Sequence, residues 1–220
     1  MSYKYRVTTL TLGALLWISN IQYFVAQILV AQQWATPFSL LHNTISDLGN
    51  TACGPYRGNI VCSPAYTWMN ASFIIVGITI LIGAIAFNMS SARSKVTTAG
   101  FGLLGLGGIG TILVGLYPEN TVSALHVLGA SLPFVCGNIA LIILGVSLGL
   151  PKIARYLTII LGVVGLVFLG FFFTQHYVGL GIGGTERIAA YPQTIWMISY
   201  GIYQLSSYRH TRTSLITRGQ

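Results

Sequence analysis

The chain has 220 residues, of which 54% are hydrophobic and only 6% are charged. Soluble domains carry about 25% charged residues, and a chain of this length cannot bury several long apolar runs in a soluble core. The composition therefore excludes a soluble globular protein and predicts an all-α integral membrane protein.

Six apolar runs are each long enough to cross a bilayer, which takes roughly 20 residues of low charge in a helix. They are predicted at residues 7–31, 67–88, 97–117, 123–149, 156–174 and 191–208. We therefore predict a six-transmembrane-helix bundle, with residues 1–220 forming one transmembrane domain. The first run is too long for a cleavable signal peptide, and Asn20 and Gln22 interrupt it.

The basic residues predict the orientation of the bundle. Cytoplasmic segments of membrane proteins are enriched in Lys and Arg, so the side with most of them is predicted to be cytoplasmic. Both termini then lie in the cytoplasm of a multi-pass cell-membrane protein. Pairs of basic residues rather than one stripe argue against a nucleic-acid partner and favour membrane lipid. The residues on the predicted cytoplasmic side are Lys4, Arg6, Arg93, Lys95, Lys152, Arg155, Arg209, Arg212 and Arg218, and those on the outer side are Arg57 and Arg187.

Small and polar residues within the spans predict how the helices pack. Glycines recur in the third span from Gly100 to Gly110, which favours a central, tightly packed helix; a substrate groove or a hinge is the alternative. Pro133 predicts a kink in the fourth span. Polar side chains in spans are expected to face other helices and to hydrogen-bond to them. These polar residues are Asn20, Gln22, Asn70 and Asn138.

The first outer loop, residues 32–66, contains Cys53 and Cys62. An outer compartment is oxidising, so we predict a disulfide that orders this loop; two unpaired thiols in a tight turn are the alternative. Cys136 lies inside the fourth span and is expected to pack as a small apolar residue.

The few ionisable groups collect on the predicted outer side. Each of three outer segments supplies one acid and one histidine, and we expect them to meet in one pocket at the membrane edge. The pairs are His42 with Asp47, His126 with Glu119, and His176 with Glu186.

The second outer segment has the clearest spacing. A helix starting at Pro118 would place Glu119, Ser123 and His126 on one face, where they could act as an acid/base set. His126 is then the candidate general base and Glu119 its partner. In the alternative, Glu119 interacts with the helix dipole and His126 is only hydrogen-bonded at the interface.

The first segment offers His42 and Ser46, which would share a face of a helix. Asp47 is a candidate acid, although it equally suits a turn in which its carboxylate accepts from backbone amides. A divalent metal such as zinc is the candidate cofactor, because carboxylates and imidazoles are its usual ligands. The candidate ligands are His42, Glu119, His126 and His176.

In the third segment, several glycines make residues 179–184 conformationally permissive. Arg187 is a candidate anion-binding residue for a phosphate or carboxylate. The alternative is an ion pair with Asp47 or Glu119 that joins two loops.

Three stretches together resemble the domain of unknown function 998 family of bacterial and archaeal membrane proteins. That family is distantly similar to the Frag/DRAM/Sfk group, some members of which are implicated in remodelling lipid anchors. The resemblance implies a six-span helical fold with the motif residues at the outer face, and it implies no activity. The stretches are Ser46-Asp47-Leu48-Gly49, Gly115-Leu-Tyr-Pro-Glu119 with His126-Val-Leu-Gly129-Ala130, and Gly184-Thr-Glu186-Arg187-Ile188.

Several functions are compatible with these patterns. The first is a hydrolase or transferase acting on a lipid or lipid-linked substrate at the outer leaflet, although the chain has no HExxH or GxSxG motif. The second is a non-catalytic lipid-binding, sensing or assembly protein whose outer charges hold a cap together. A transporter is least favoured, because no acid lies deep in a span. Haem ligation by histidines is a further alternative.

Overall fold

The structure, a computed structural model, describes residues 3–91 and 94–218, so Arg93 lies outside the described residues. Most of this chain is helical, as the composition predicts. The helices are α1 (Tyr3–Ile18), α2 (Ile21–Ala31), α3 (Tyr66–Ser90), α4 (Lys95–Leu116), α5 (Ser123–Leu132), α6 (Asn138–Ser147), α7 (Lys152–Phe173) and α8 (Gly181–Arg218).

Within the described part of the chain, five helical stretches are long and apolar enough to cross a membrane. They are Val7–Ala31, Tyr66–Ser90, Lys95–Leu116, Ser123–Ser147 and Lys152–Phe173. A multi-pass helical protein with membrane-like helices is therefore confirmed. The sixth predicted run, residues 191–208, lies inside α8, which is not one of these five.

Two of the apolar runs are interrupted. The first breaks at Ser19 and Asn20, where a turn separates α1 from α2. The run predicted at 123–149 changes from α5 to α6 through one turn of π-helix, Pro133–Gly137. Pro133 has no N–H to donate, so the expected disturbance takes the form of this wider turn, a feature that is frequent at functional sites.

The glycine-rich helix α4 packs against α3 on one side and against α5 and α6 on the other. A Cβ atom added to Gly108 would lie 2.7 Å from the Gly77 carbonyl oxygen of α3. One added to Gly110 would lie 2.4 Å from the Gly129 carbonyl oxygen of α5. The tight packing predicted for this helix is confirmed, because these helix backbones approach closely only where side chains are absent. A central position is not, because among the described residues α4 packs mainly against its neighbours, α3 and the span formed by α5 and α6.

Each polar residue predicted to hydrogen-bond inside the bundle does so. Asn20 Oδ1 accepts from the Thr79 hydroxyl of α3, and Gln22 exchanges hydrogen bonds with Ser72. Asn138 Nδ2 donates to the Ala189 carbonyl of α8 at 3.0 Å. Asn70 differs in its partner, since it donates to the carbonyl of a loop residue, Gly49.

The segment between α2 and α3 is folded rather than extended. It contains a short 3₁₀ helix, Ser46–Gly49, and an antiparallel hairpin of β1 (Gly54–Tyr56) and β2 (Asn59–Val61). A disulfide between Cys53 and Cys62 closes the hairpin, which confirms the predicted bond. This short hairpin lies outside the predicted helices, and its turn at Arg57 and Gly58 has positive φ angles that suit a tight reversal.

The loop between α2 and α3 meets two other connections at one end of the bundle, here called the loop end. The Thr51 amide donates to Asn120 Oδ1, between α4 and α5, and the Gly183 amide of α8 donates to the Leu41 carbonyl. These hydrogen bonds join the three segments at the loop end.

The glycine-rich third segment is helical from Gly181, ten residues before the start predicted for the last span. Helix α8 already begins at Gly181, so Gly183 and Gly184 lie in its first turn. A Cβ at Gly183 would lie 2.1 Å from the Asn43 carbonyl oxygen. The glycines here allow a helix to contact a loop closely, and they place Glu186 and Arg187 on a rigid element.

Candidate functional site

The 3₁₀ helix that carries Ser46 is held on both sides by hydrogen bonds from other elements. The Glu186 carboxylate accepts from the Ile45 amide at 2.5 Å, just before Ser46. Beyond Ser46, the Leu48 carbonyl accepts from Ser63 Oγ at 2.7 Å and the Gly49 carbonyl from Asn70 Nδ2 at 2.9 Å. The backbone of Ser46 is therefore fixed relative to α3 and α8.

Ser46 and His126 form the central contact of the loop end. Ser46 Oγ lies 3.0 Å from His126 Nε2, and His126 Nδ1 lies 2.9 Å from the Tyr117 carbonyl oxygen. A carbonyl oxygen only accepts, so Nδ1 carries the proton. In the neutral ring Nε2 is then an acceptor, and the Ser46 hydroxyl donates to it. This is the arrangement in which an imidazole can remove the proton of a serine hydroxyl.

The prediction that Glu119, Ser123 and His126 share one helix face was wrong. Helix α5 begins only at Ser123, because residues 118–121 form a turn in which the Thr121 amide donates to the Pro118 carbonyl. Glu119 therefore precedes the helix, and the Ser123 side chain is exposed. The hydroxyl that meets His126 belongs to Ser46 instead.

Glu119 is buried, with 3% of its surface exposed, and it lies beside Asp47. Burial, followed by the charge of Asp47, raises the pKa of Glu119 to about 9. Burial and the neighbouring charge of Asp47 therefore both favour the neutral form of Glu119 near neutral pH. Asn50 Nδ2 donates to Glu119 Oε1 at 3.2 Å and completes the environment of this neutral acid.

Asp47 also organises its own loop. Its Oδ2 accepts from the Thr44 amide at 2.9 Å and from Asn43 Nδ2 at 3.4 Å, while the Asp47 amide donates to Thr44 Oγ1. This is the turn role that the sequence left open for Asp47. The Asp47 carboxylate thus accepts a backbone hydrogen bond within its own loop and lies beside Glu119.

Glu186 is the third buried carboxylic acid of the loop end. Burial raises its pKa to about 7, against the opposing effects of the Ile45 amide and the positive charge of Arg187. Near neutral pH, Glu186 therefore exchanges a proton readily, which is a property of general acids and bases.

A cavity of about 140 Å³ opens beside Ser46 and His126. Glu119, Glu186 and Arg57 also line it, and Phe134, Phe172, Phe173 and Leu169 supply apolar walls. Ser46, Glu186, Ala130 and Phe134 further line a smaller cavity of about 60 Å³ that extends among apolar residues of α3 and α4. The reactive groups thus lie between a mixed polar mouth and an apolar interior.

Arg187 does not line this cavity, although it follows Glu186 directly. Its Nη1 donates to the carbonyl oxygens of Leu40, Asn43 and Gly183 at 3.0, 2.7 and 2.9 Å. These bonds replace the alternative ion pair with Asp47 or Glu119. Successive residues of a helix point about 100° apart, so Glu186 and Arg187 reach different sides of α8.

The two other candidate histidines, His42 and His176, are not brought to the site. The side chains of His42 and His176 are exposed, and neither lines the cavity beside His126. Among the residues that the structure describes, no group of three or more His, Cys, Asp or Glu is placed to hold a metal ion. The zinc site on His42, Glu119, His126 and His176 stays a prediction.

Sequence reasoning missed the roles of Ser46 and Arg57 in lining this cavity. Ser46 was singled out only as a neighbour of His42, since spacing along one segment says nothing about contact with another. Its position in the Ser-Asp-Leu-Gly stretch was the available signal.

The comparison of the chain with protein families agrees with this stretch. The family model described as a protein of unknown function (DUF998) matches residues 21–203. This range includes every residue that lines the cavity beside Ser46 and His126. The chain belongs to the DUF998 family. No curated protein and no solved structure matches it.

Proposed function

We propose that this DUF998 protein is a hydrolase or acyl transferase that acts on a lipid or lipid-linked ester, with Ser46 as nucleophile and His126 as general base. The observation that carries the proposal is the 3.0 Å contact between Ser46 Oγ and His126 Nε2, with Nδ1 held by the Tyr117 carbonyl. A nucleophile, a base and a group that orients the base are the parts that serine acyl transfer requires.

The chemistry follows from these positions. Ser46 Oγ attacks the ester carbonyl carbon while its proton passes to His126 Nε2. The carbon–oxygen bond to the leaving alcohol then breaks, and His126 returns the proton to that alcohol. Water, or a second alcohol in a transferase, attacks the acyl-serine with His126 again as base, which releases the acyl group and restores Ser46. The Tyr117 carbonyl fixes Nδ1–H in the orientation and tautomer that both steps use.

Arg57 and Glu186 are two further ionisable groups that line the cavity, beside Glu119. Arg57 is assigned the anion-holding role that the sequence suggested for Arg187, because it lines the same space as the reacting hydroxyl. The positive charge would stabilise negative charge on the substrate or its tetrahedral intermediate. Neutral Glu119 keeps the Asp47 loop in place without adding a second negative charge.

The apolar surroundings favour an acylated substrate. The cavity beside His126 is bounded by phenylalanines, and its inner neighbour by α3 and α4 side chains. Such walls suit a hydrocarbon chain, while the polar mouth suits the ester. We infer that the chain crosses the membrane six times, with α8 as the last span and both termini in the cytoplasm. The loop end then faces the outer leaflet of the cell membrane.

The experiment is turnover in vesicles. Purified protein is reconstituted with a phospholipid that carries a fluorescent acyl ester, and release of the fatty acid is followed. We expect Ser46→Ala to abolish release, whereas Ser123→Ala, which removes an exposed hydroxyl of the same loop end, retains it. Equal activity of Ser46→Ala and the parent protein would contradict the proposal.

A second candidate function is a non-catalytic cap, in which the buried charges only hold the loops on the bundle. It is favoured by the bonds of Glu186 to Ile45 and of Arg187 to three loop and helix carbonyls. Glu186→Ala would leave the buried Ile45 amide unpaired, at a cost of about 1–3 kcal/mol. Glu186→Gln keeps an acceptor and serves as the control. If Glu186→Ala loses thermal stability and the parent protein releases no fatty acid from the ester, the non-catalytic cap is the better description of the function.

A further inference from the structure

A larger cavity lies on the other side of α8, away from Ser46. It has a volume of about 610 Å³, within the range of roughly 300–1,000 Å³ that small-ligand pockets occupy. Its walls come from the end of α2, the following loop and the first turns of α8. The apolar lining consists of Phe24, Ile28, Ala31, Pro37, Phe38, Leu40 and Leu48.

Arg187 is the charged group of this cavity, and only 7% of its surface is exposed. Its Nη1 is fully used by three carbonyl oxygens, but Nε and Nη2 have no hydrogen-bond partner. The Phe38 ring lies 5.5 Å from the guanidinium carbon and covers part of the cation. Unpaired donors on a buried charge are costly, so a missing acceptor is expected here.

The geometry of the unpaired donors indicates which acceptor fits. Nε–H and Nη2–H lie on one edge of the planar guanidinium and point in parallel, which is the edge that binds two oxygens of a phosphate or carboxylate. The other polar side chains that line the cavity carry no charge: the Tyr191 hydroxyl donates to Gln27 Oε1, and Gln27 Nε2 donates to the Tyr23 carbonyl. Arg187 is therefore the group that favours an anion in this cavity.

We propose that this cavity is a binding site for an anionic membrane phospholipid, whose phosphate accepts from Nε and Nη2 of Arg187 and whose acyl chain lies against α2. A lipid is favoured over a soluble anion because the walls are apolar. Ile28, which lines the cavity, is also 58% exposed on a stretch long and apolar enough to span a membrane, so the cavity is open toward the bilayer.

This site is separate from the proposed reaction site. Arg187 and the α2 residues do not line the cavity of Ser46 and His126. The lipid site therefore holds whether or not the protein hydrolyses an ester.

The test is native mass spectrometry of the full chain released from detergent, titrated with phosphatidylglycerol, phosphatidylcholine or inorganic phosphate. We expect phosphatidylglycerol to remain bound and the zwitterionic lipid and inorganic phosphate to be lost. Arg187→Lys keeps the charge but removes the two-donor edge, and we expect its apparent Kd for phosphatidylglycerol to rise about tenfold or more.

A second pair of variants does not alter the arginine. Ala31→Phe occupies part of the cavity where the acyl chain would lie and is expected to weaken retention of phosphatidylglycerol, whereas Ala99→Phe, at an exposed position of α4, is expected to leave it unchanged. If Arg187→Lys does not fold, the comparison of Ala31→Phe with Ala99→Phe tests the lipid site by itself. Equal retention of both lipids, equal binding of inorganic phosphate, or unchanged retention by Ala31→Phe would overturn the proposal.

Discussion

Ser46 and His126 lie 80 positions apart in the chain, and their side chains meet at 3.0 Å. Two hydrogen bonds position the contact, one between distant segments and one within the second outer segment. Glu186 of α8 holds the amide before Ser46, and the carbonyl at the end of α4, on Tyr117, holds the other ring nitrogen of His126. The contact therefore depends on four separate elements of the bundle, which explains how a hydroxyl in a loop acquires a fixed orientation.

His126→Ala removes the proposed base and leaves Ser46 without an acceptor. Positioned general bases contribute about 10²–10⁴-fold to rate, so kcat for ester release is expected to fall by that amount with little change in KM. Steady-state kinetics in the vesicle assay measure both constants. A selective rise in KM with kcat preserved would show that His126 contributes to binding rather than to proton transfer.

Glu119 predicts a pH dependence of stability. Its pKa in the folded protein lies near 9, above the ordinary value of 4.5, so the folded state binds this proton more tightly than the unfolded chain. The stabilisation is complete below about pH 4.5 and is lost as the pH rises toward 9, by at most about 1.4 kcal/mol per pH unit. Glu119→Gln, which cannot ionise, is expected to flatten the fall between pH 7 and 9.

Glu186→Gln is the matched control for that measurement. The pKa of Glu186 is raised only to about 7, so this variant is expected to change the profile between pH 4.5 and 7 and not above it. Thermal unfolding in detergent across this pH range measures both. If Glu119→Gln loses stability above pH 7 as steeply as the parent protein, the pKa of Glu119 is not raised in the folded state.

The disulfide is expected to stabilise the hairpin that contacts Glu119. Closing a loop between Cys53 and Cys62 contributes about 2–3 kcal/mol by restricting the unfolded chain. The hairpin also supplies Tyr56, whose hydroxyl donates to the Glu119 carbonyl at 3.0 Å. Cys53→Ala with Cys62→Ala is expected to lower Tm by about 5–10 °C, whereas Cys136→Ala is not. An unchanged Tm in the double variant would show that the disulfide does not stabilise the folded protein.

Packing of α4 is tested by two substitutions in one helix. Alanine at Gly110 would bring its Cβ to 2.4 Å from the Gly129 carbonyl oxygen, whereas alanine at Gly102 meets nothing within 4 Å. Gly110→Ala is expected to cost about 1–3 kcal/mol, and Gly102→Ala to be neutral or slightly stabilising. Thermal unfolding of the two variants under one condition measures the difference, and equal Tm values would be incompatible with this packing.

Features that depend on a local sequence pattern could be predicted from the sequence alone. Apolar length placed the long helices, the small residues of α4 predicted its packing, and the redox argument predicted the pairing of Cys53 with Cys62. These features follow from composition over one segment, or from residues close together in the chain.

The candidate site depended on information that no single segment contains. Helical spacing paired His126 with Ser123, but Pro118 and the turn after it delay the start of α5, and the loop residue Ser46 takes that place. Likewise, the sequence indicated that adjacent Glu186 and Arg187 would face different ways on a helix, but not that each would line its own cavity. Predicting these contacts requires the tertiary arrangement, because three loops fold together only when α2, α5 and α8 are in place.

The most direct measurement of the central claim is covalent labelling of the active hydroxyl. The full-length protein in detergent is treated with a fluorophosphonate, digested and analysed by mass spectrometry. The account predicts an adduct on Ser46 that is strongly reduced by His126→Ala and unaffected by Ser123→Ala. An unmodified Ser46, or an adduct that forms equally well without the imidazole of His126, would contradict it.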